Sequence, residues 1–228
     1  MIFMSLNVYI GYDRNNRMPA LIAAESIMQH SSKPVSFTFI NLDCIPEFTR
    51  KRSDLDSTEF SISRFLVPYL SGYTGWSLFI DNDVIVQSDI SELFDMADDK
   101  YAVMCVKHNH KPSNRLKFLG MKQSQYSKKN WSSVMLMNNA KCKALTLEHV
   151  NTASGLDLHQ FKWTKDSKVG TLPNEWNALS GIDPLEDAKI IHYTNGGAYF
   201  QESRYCDGWE KWLDVYNRAN DVRSDIKS

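Results

Sequence analysis

The sequence has few of the residues that mark disulfide-rich, zinc-ribbon or nucleic-acid-binding proteins. Its 228 residues include four cysteines, none in a CxxC pair, so neither a zinc ribbon nor a thioredoxin-type site is supported. So few cysteines in a chain of this length favour reduced, buried thiols over a disulfide framework. The formal net charge is −1, which provides no overall field for nucleic acid or an anionic membrane. We therefore expect no nucleic-acid partner.

Long apolar runs are absent as well. No stretch approaches the roughly 20 apolar residues that a transmembrane helix needs. The first residues, MIFMSLNVYIGYD, lack a positively charged start and a small-residue cleavage site, and Ser5 and Asn7 interrupt their apolar run. We expect a protein without a transmembrane segment, located in the cytoplasm.

The sequence does contain enough apolar residues for a sizeable core, with 43% hydrophobic residues. LNVYIGYD predicts a buried strand, residues 18–32 have helical spacing, and VSFTFINLD predicts a second strand. This β-α-β opening predicts an α/β fold with a mostly parallel central sheet flanked by helices. We expect one domain over residues 1–228. The expected apolar face of the first helix consists of Leu21, Ala24, Ile27 and Met28.

Two carboxylates end the apolar stretch WSLFIDND. Asp81 and Asp83 are two positions apart, so in a strand both side chains point to the same side. At the carboxyl edge of a parallel sheet they would face the crevice where α/β proteins bind ligands. Mg²⁺ and Mn²⁺ prefer such oxygen ligands and often share them with phosphate oxygens. A solvent-facing strand end is the alternative, which the apolar flanks SLFI and VIV disfavour.

Several motifs in sequence order resemble those of one enzyme family. LFIDNDVIVQSDISELF resembles the central motif of the nucleotide-sugar glycosyltransferases of the GT-A fold, especially the family 8 group that includes glycogenin and the lipopolysaccharide galactosyltransferases. The resemblance covers roughly residues 7–200. The other stretches that carry it are VYIGYD, SRFLVPYL, WSSVMLMNN, TLPNEWNAL and IIHYTNGG.

The resemblance implies a Rossmann-like GT-A fold, with a nucleotide-binding part at about residues 1–100 and an acceptor-side part at about 101–228. It implies a metal-dependent hexosyltransferase that takes a nucleoside diphosphate sugar, a UDP-sugar in the first instance, and retains the anomeric configuration. The acceptor would be a carbohydrate, a glycolipid or a small molecule.

The resemblance also assigns residues. It implies that Asp81, Asp83 and His192 bind Mn²⁺ or Mg²⁺, and that Asp81 also contacts the ribose or diphosphate of the donor. Without the resemblance, His192 would be read as a buried structural histidine. The remaining donor contacts that it implies are Tyr12 and Asp13 near the base and Arg64 near the ribose or Asp81.

Two departures of the chain from the family pattern affect the predicted site residues. The lysine that usually follows HYTG is missing, so the amides of Gly196 and Gly197, or a lysine of the basic segment 107–130, would have to contact the diphosphate. The usual DQD stretch has LDLHQF as its nearest counterpart. From it we predict Asp157 and Gln160 in the active site, and His159 on the acceptor side; no catalytic base is assigned.

Two alternatives stay open at this point. A non-catalytic sugar- or nucleotide-binding protein of the same fold would explain the missing lysine. A haloacid-dehalogenase-type phosphatase also ends an apolar strand in DxD, but there the motif follows the first strand, and here Ile85 stands where Thr or Val is usual.

Overall fold

A computed structural model of the chain describes residues 5–52, 58–109 and 127–220. Within these ranges the strands are β1 (Leu6–Gly11), β2 (Val35–Ile40), β3 (Trp76–Ile80), β4 (Val84–Val86), β5 (Val103–Cys105), β6 (Val134–Asn138), β7 (Val169–Thr171), β8 (Ala178–Leu179) and β9 (Ile190–His192). The α-helices are α1 (Met18–His30), α2 (Phe60–Ser63), α3 (Val67–Leu70), α4 (Ile90–Asp95), α5 (Leu147–Thr152), α6 (Gly155–His159) and α7 (Trp209–Ala219). No helix in the described ranges has the length and apolarity needed to cross a bilayer.

The central sheet contains six strands in the order β2-β1-β3-β6-β5-β7. β1 is parallel to both β2 and β3, and β5 is parallel to β7, whereas β6 is antiparallel to β3 and to β5. All strands of this sheet except β6 therefore point the same way. The predicted α/β domain with a mostly parallel sheet is confirmed.

A second sheet of three strands has the order β4-β9-β8. The apolar VIV that follows the two aspartates forms β4, which pairs antiparallel with β9, and Val84 lies opposite His192. β8 runs parallel to β9 on its other side. The sequence pattern did not predict this small sheet, because each of its strands is only two or three residues long and its pairing is long-range.

The apolar face of α1 differs from the predicted one. Leu21 and Met28 are 51% and 58% exposed, whereas Ala20, Ala23 and Ile27 are completely buried. The expected face was therefore wrong for these two residues. α1 packs against both β4 and α7, and small alanine side chains allow this close approach.

Gly11 at the end of β1 allows the chain between β2 and β3 to approach this strand closely. A Cβ atom on Gly11 would lie 2.6 Å from the ring of Phe60, so glycine is needed for α2 to approach β1. A 3₁₀ turn, Arg64–Leu66, joins α2 to α3. Pro68 lies in the first turn of α3, where a missing N–H costs nothing.

We predict that the corrected face of α1 can be verified by two neighbouring substitutions. Ile27→Ala should lower the free energy of unfolding by about 2–5 kcal/mol, because it leaves a cavity at a fully buried site. Met28→Ala, on the exposed face of the same helix, is the control and should change it by no more than about 0.5 kcal/mol. Urea unfolding of both variants gives the comparison; equal losses would contradict the observed face.

Candidate metal and donor site

The carboxyl ends of β1 and β3 form one edge of the central sheet. Ile10 and Ile80 lie side by side in the parallel pair, so the residues that follow them, Tyr12 and Asp13 on one side and Asp81 on the other, leave the sheet at this edge. Asp13 accepts a hydrogen bond from the backbone N–H of Asn15 (2.9 Å) and closes a turn there. The ring of Tyr12 packs edge-on against Phe39. The predicted base contacts and the DxD motif thus lie at the same edge.

Asp81, Asp83 and His192 meet at this edge. Each offers one potential ligand atom, and these three atoms lie within 4.8 Å of one another. The Nε2 atom of His192 is 3.4 Å from Oδ1 of Asp83 and 3.9 Å from Oδ2 of Asp81. The pairing of β4 with β9 produces this arrangement, because it places the last residue of β9 beside the strand that begins directly after Asp83.

Arg64 contacts the other carboxylate oxygen of Asp81, the one that does not face His192. Its Nη1 atom lies 2.9 Å from Oδ1 of Asp81 and also donates to the carbonyl oxygen of Ser132 at 2.9 Å. Its guanidinium lies over the ring of Phe79, with its central carbon 5.2 Å from the ring centroid. Arg64 and Asp81 are 6% and 8% exposed, so this is a buried ion pair held in one orientation.

The charges of the cluster shift one another's pKa values. Burial raises the pKa of Asp81 to about 6, with Arg64 opposing the rise and the neighbouring Asp83 adding to it. Burial also raises the pKa of Asp83, but His192 outweighs this effect and holds that pKa below its usual value. For His192, burial lowers the pKa, and the contact with Asp83 outweighs it, so that the pKa is raised. The two carboxylates therefore need nearby positive charge to remain ionised.

The donor set fits a divalent cation. Oδ1 of Asp83 is buried and has no hydrogen-bond partner among the described residues. A buried carboxylate oxygen without a partner is costly, and coordination would offset this cost. Two carboxylates and one imidazole suit Mn²⁺, and the carboxylates with further oxygen ligands suit Mg²⁺. Asp81, Asp83 and His192 are thus the residues that could hold the metal.

Three polar residues that sequence reasoning did not select support this cluster. Asn177 is fully buried and contacts Nδ1 of His192 through its Oδ1 atom at 3.1 Å. Ser132 contacts Arg64, and Ser133 accepts the backbone N–H of Asp81 at 2.8 Å through its carbonyl oxygen. All three stand in the stretches WSSVMLMNN and TLPNEWNAL, but a polar residue in a motif does not by itself reveal which neighbour it contacts.

Asp157 and Gln160 lie on and just after α6. The backbone N–H of Asp157 donates to the capping hydroxyl of Ser154, and its carboxylate pairs with Lys162. The side chain of Gln160 donates to Ser127 at 3.1 Å. Within the described part of the chain, no hydrogen bond or ion pair joins either side chain to the three-residue cluster. Their place in the active site stays a prediction.

His159 of the same helix is connected to the cluster. Its Nδ1 atom lies 2.8 Å from the hydroxyl of Ser132, whose carbonyl oxygen accepts from Arg64. Its ring also packs edge-on against Phe65, next to Arg64 in the chain. His159 of LDLHQF is therefore linked to Asp81 through two residues, Ser132 and Arg64.

The two glycines expected to replace the missing lysine follow β9. The N–H of Gly196 donates to the carbonyl oxygen of Tyr193 at 2.9 Å and closes a turn, so this amide is already engaged. Gly197 is buried, and a Cβ atom there would lie 2.4 Å from the ring of Tyr199. Of the two glycines, Gly197 therefore remains the predicted phosphate contact.

The basic segment 107–130 is described only at its two ends. The ammonium of Lys107 donates to the carbonyl oxygen of Val169, and that of Lys128 donates to the carbonyl oxygen of Gln160, both at 2.8 Å. Residues 110–126, which include most of the segment whose lysines could contact the diphosphate, lie outside the described residues. That prediction is therefore not addressed by these contacts.

We predict that the Arg64–Asp81 pair is far more important for stability than an exposed pair. Arg64→Ala leaves the buried carboxylate without its arginine and should lower the free energy of unfolding by about 3–5 kcal/mol. Arg218→Ala is the matched control, since Arg218 pairs with Asp214 at 2.9 Å but both side chains are mostly exposed, and it should cost at most about 1 kcal/mol.

The double variant Arg64→Ala/Asp81→Asn isolates the charge. It should be more stable than Arg64→Ala alone, because it removes the carboxylate that has lost its partner. Urea unfolding at neutral pH measures all four proteins. Equal losses from Arg64→Ala and Arg218→Ala, or no recovery in the double variant, would show that the ion pair does not stabilise the site.

Comparison with solved structures places this fold among glycosyltransferases. The galactosyltransferase LgtC, in complex with donor and acceptor sugar analogues, superposes with a TM-score of 0.60 at 12% identity, over 96% of this chain and 98% of LgtC. The bifunctional glycosyltransferase WbbM gives 0.65 at 17% identity, over 94% of this chain and 51% of WbbM. GlyE of Streptococcus pneumoniae TIGR4 gives 0.60 at 18% identity, over 93% and 60%. The chain spans about half the length of WbbM and three fifths of GlyE, and these likenesses show the GT-A fold.

Comparison of sequences identifies the family. Protein CDI of Arabidopsis thaliana is 40% identical over 232 residues, and the match covers 96% of this chain and 90% of that protein. The family model of glycosyl transferase family 8 matches residues 63–198, which include the DxD motif and His192. The chain therefore belongs to glycosyl transferase family 8, and not to the haloacid-dehalogenase phosphatases.

Proposed function

We propose that the chain is a metal-dependent glycosyltransferase that moves a hexose from a nucleoside diphosphate sugar, UDP-linked in the first instance, to an acceptor hydroxyl. The observation that carries the proposal is the cluster of the buried Asp81 and His192 with the partly buried Asp83, at the carboxyl edge of a GT-A sheet. Family membership supports the reaction class, and the unpartnered Oδ1 of Asp83 supports the cation.

In this proposal the three-residue cluster helps to stabilise the leaving group, which is the nucleoside diphosphate. Asp81, Asp83 and His192 would hold Mn²⁺ or Mg²⁺, which would supply positive charge for the nucleoside diphosphate as the glycosidic bond breaks. Arg64 keeps Asp81 ionised and oriented by its contact at 2.9 Å. Positioning of the two substrates would contribute a further large part of the rate acceleration.

The remaining donor and acceptor contacts belong to the same proposal. Tyr12 and Asp13 lie at the end of β1 and contact the base, and the amide of Gly197 contacts the diphosphate. Asp157 and Gln160 lie in the active site, and His159 lies on the acceptor side. The acceptor is a carbohydrate, a glycolipid or a small molecule. The solved LgtC complex with donor and acceptor sugar analogues supports substrates of this class. We further propose retention of the anomeric configuration and a cytoplasmic location.

One observation favours a second candidate function. The lysine expected after HYTG is absent, and the amide of Gly196, one of its two proposed replacements, is engaged in a turn. A protein that binds the nucleotide sugar without turnover would tolerate this loss, because weaker contacts to the diphosphate reduce catalysis before they abolish binding.

We predict that Mn²⁺ together with one nucleoside diphosphate raises the melting temperature. A ligand at about 100 times its dissociation constant adds about 2.7 kcal/mol to the folded state. For a chain of this size this corresponds to a rise of about 5–10 °C. Thermal unfolding with UDP, GDP, ADP and their sugars, each with and without Mn²⁺, measures the shift and identifies the base.

Matched variants connect that shift to the cluster. Asp83→Asn and His192→Ala should abolish it, whereas Asp187→Asn and His30→Ala, at exposed positions, should preserve it. Release of the nucleoside diphosphate from the stabilising sugar then separates the two candidate functions, because only an enzyme releases it. A folded protein that no nucleotide stabilises would refute the donor site.

A further inference from the structure

Asn177 lies where the polypeptide enters the small sheet, directly behind His192. It ends the 3₁₀ turn Asn174–Asn177 and precedes β8, and its side chain is completely buried. The two ends of its side-chain amide reach in different directions. One contacts Nδ1 of His192 at 3.1 Å, and the other contacts the turn that leads into β6.

The turn before β6 determines which end of the Asn177 amide faces the histidine. The amide nitrogen Nδ2 lies 3.3 Å from the carbonyl oxygen of Asn130 and 2.9 Å from the hydroxyl of Ser133. A carbonyl oxygen only accepts hydrogen bonds, so the group facing Asn130 must be the NH₂ group. The hydroxyl of Ser133 itself donates to the same carbonyl at 2.7 Å, so it is left to accept from Nδ2. Two independent contacts thus require Oδ1 to face His192.

This orientation in turn determines the tautomer of His192. Oδ1 of an amide only accepts, so Nδ1 of the imidazole must carry the hydrogen. In the neutral ring Nε2 then has a free lone pair, and Nε2 is the nitrogen that faces Asp83 and Asp81.

We propose that Asn177 is a positioning residue that fixes His192 as the Nδ1–H tautomer and presents Nε2 to a divalent cation. The metal part rests on the proposed function, whereas the tautomer part is a property of the protein by itself. The conformation of the turn that orients Asn177 suits this role. Asn130 has a φ of +63°, a left-handed conformation that asparagine tolerates, and its carbonyl oxygen accepts from both Ser133 and Asn177.

We predict that the tautomer is visible by long-range ¹H–¹⁵N NMR of the imidazole rings in metal-free protein at alkaline pH, where the ring is neutral. The His192 signals are identified by their loss in His192→Ala. The wild-type protein should show the Nδ1–H form. Observation of the Nε2–H form in the wild-type protein would overturn the proposal without any further variant.

We also predict that Asn177→Ala weakens Mn²⁺ binding about 10–100-fold, the range usual for loss of a partner that orients a metal ligand. Calorimetric titration with Mn²⁺ measures the dissociation constant of each variant. Asn139→Ala is the matched control, because Asn139 is equally buried and its amide also donates to a backbone carbonyl and a serine hydroxyl, those of Thr74 and Ser77, at the other end of β3. It should lower stability but leave Mn²⁺ affinity within about twofold.

A double variant separates positioning from general damage. If Asn177 acts through His192, Asn177→Ala/His192→Ala should bind Mn²⁺ no more weakly than His192→Ala alone. Additive losses would overturn the proposal, as would wild-type affinity in Asn177→Ala. A wild-type protein that shows the Nδ1–H form but binds no Mn²⁺ supports the positioning of the ring and refutes the metal part of the proposed function.

Discussion

The close approach of two carboxylates, one buried and one partly buried, is the constraint on which the rest of the site depends. Asp81 and Asp83 leave a buried strand on the same side, and ionising both of them there is costly without nearby positive charge. Arg64 meets Asp81, and His192 meets Asp83. The irregular helix between β2 and β3 and the pairing of β4 with β9 are therefore structural requirements, since each supplies one of these partners.

The turn that leads into β6 connects both halves of the cluster. Ser132 accepts from Arg64, the carbonyl oxygen of Ser133 accepts from the backbone of Asp81, and the hydroxyl of Ser133 contacts Asn177 behind His192. Two consecutive residues thus fix the arginine, the first aspartate and the histidine relative to one another. β6 is the reversed strand of the sheet, and this reversal is what brings its first residues to the carboxyl edge of β3.

The sequence predicts those parts of this arrangement that depend on local periodicity or on motif order. The α/β fold follows from the alternation of strand and helix patterns, and the common direction of Asp81 and Asp83 follows from the two-residue period of a strand. The buried face of α1 was only partly predicted, because α7 and β4 cover it, and these elements lie far along the chain. Asn177 could not be selected, because its importance depends on two neighbours from other elements.

The charge balance of the cluster explains why cation and donor should bind together. Once His192 is neutral, as a metal ligand must be, Arg64 offsets only one of the two carboxylates, and the ammonium groups of Lys107 and Lys128 are engaged with backbone carbonyls. An anionic diphosphate approaching Asp83 alone would meet like charge. A divalent cation at this point would reverse the sign and so favour the proposed diphosphate donor. In a chain without the lysine that usually follows HYTG, a larger share of this attraction would come from the cation, so the geometry of His192 would matter correspondingly more.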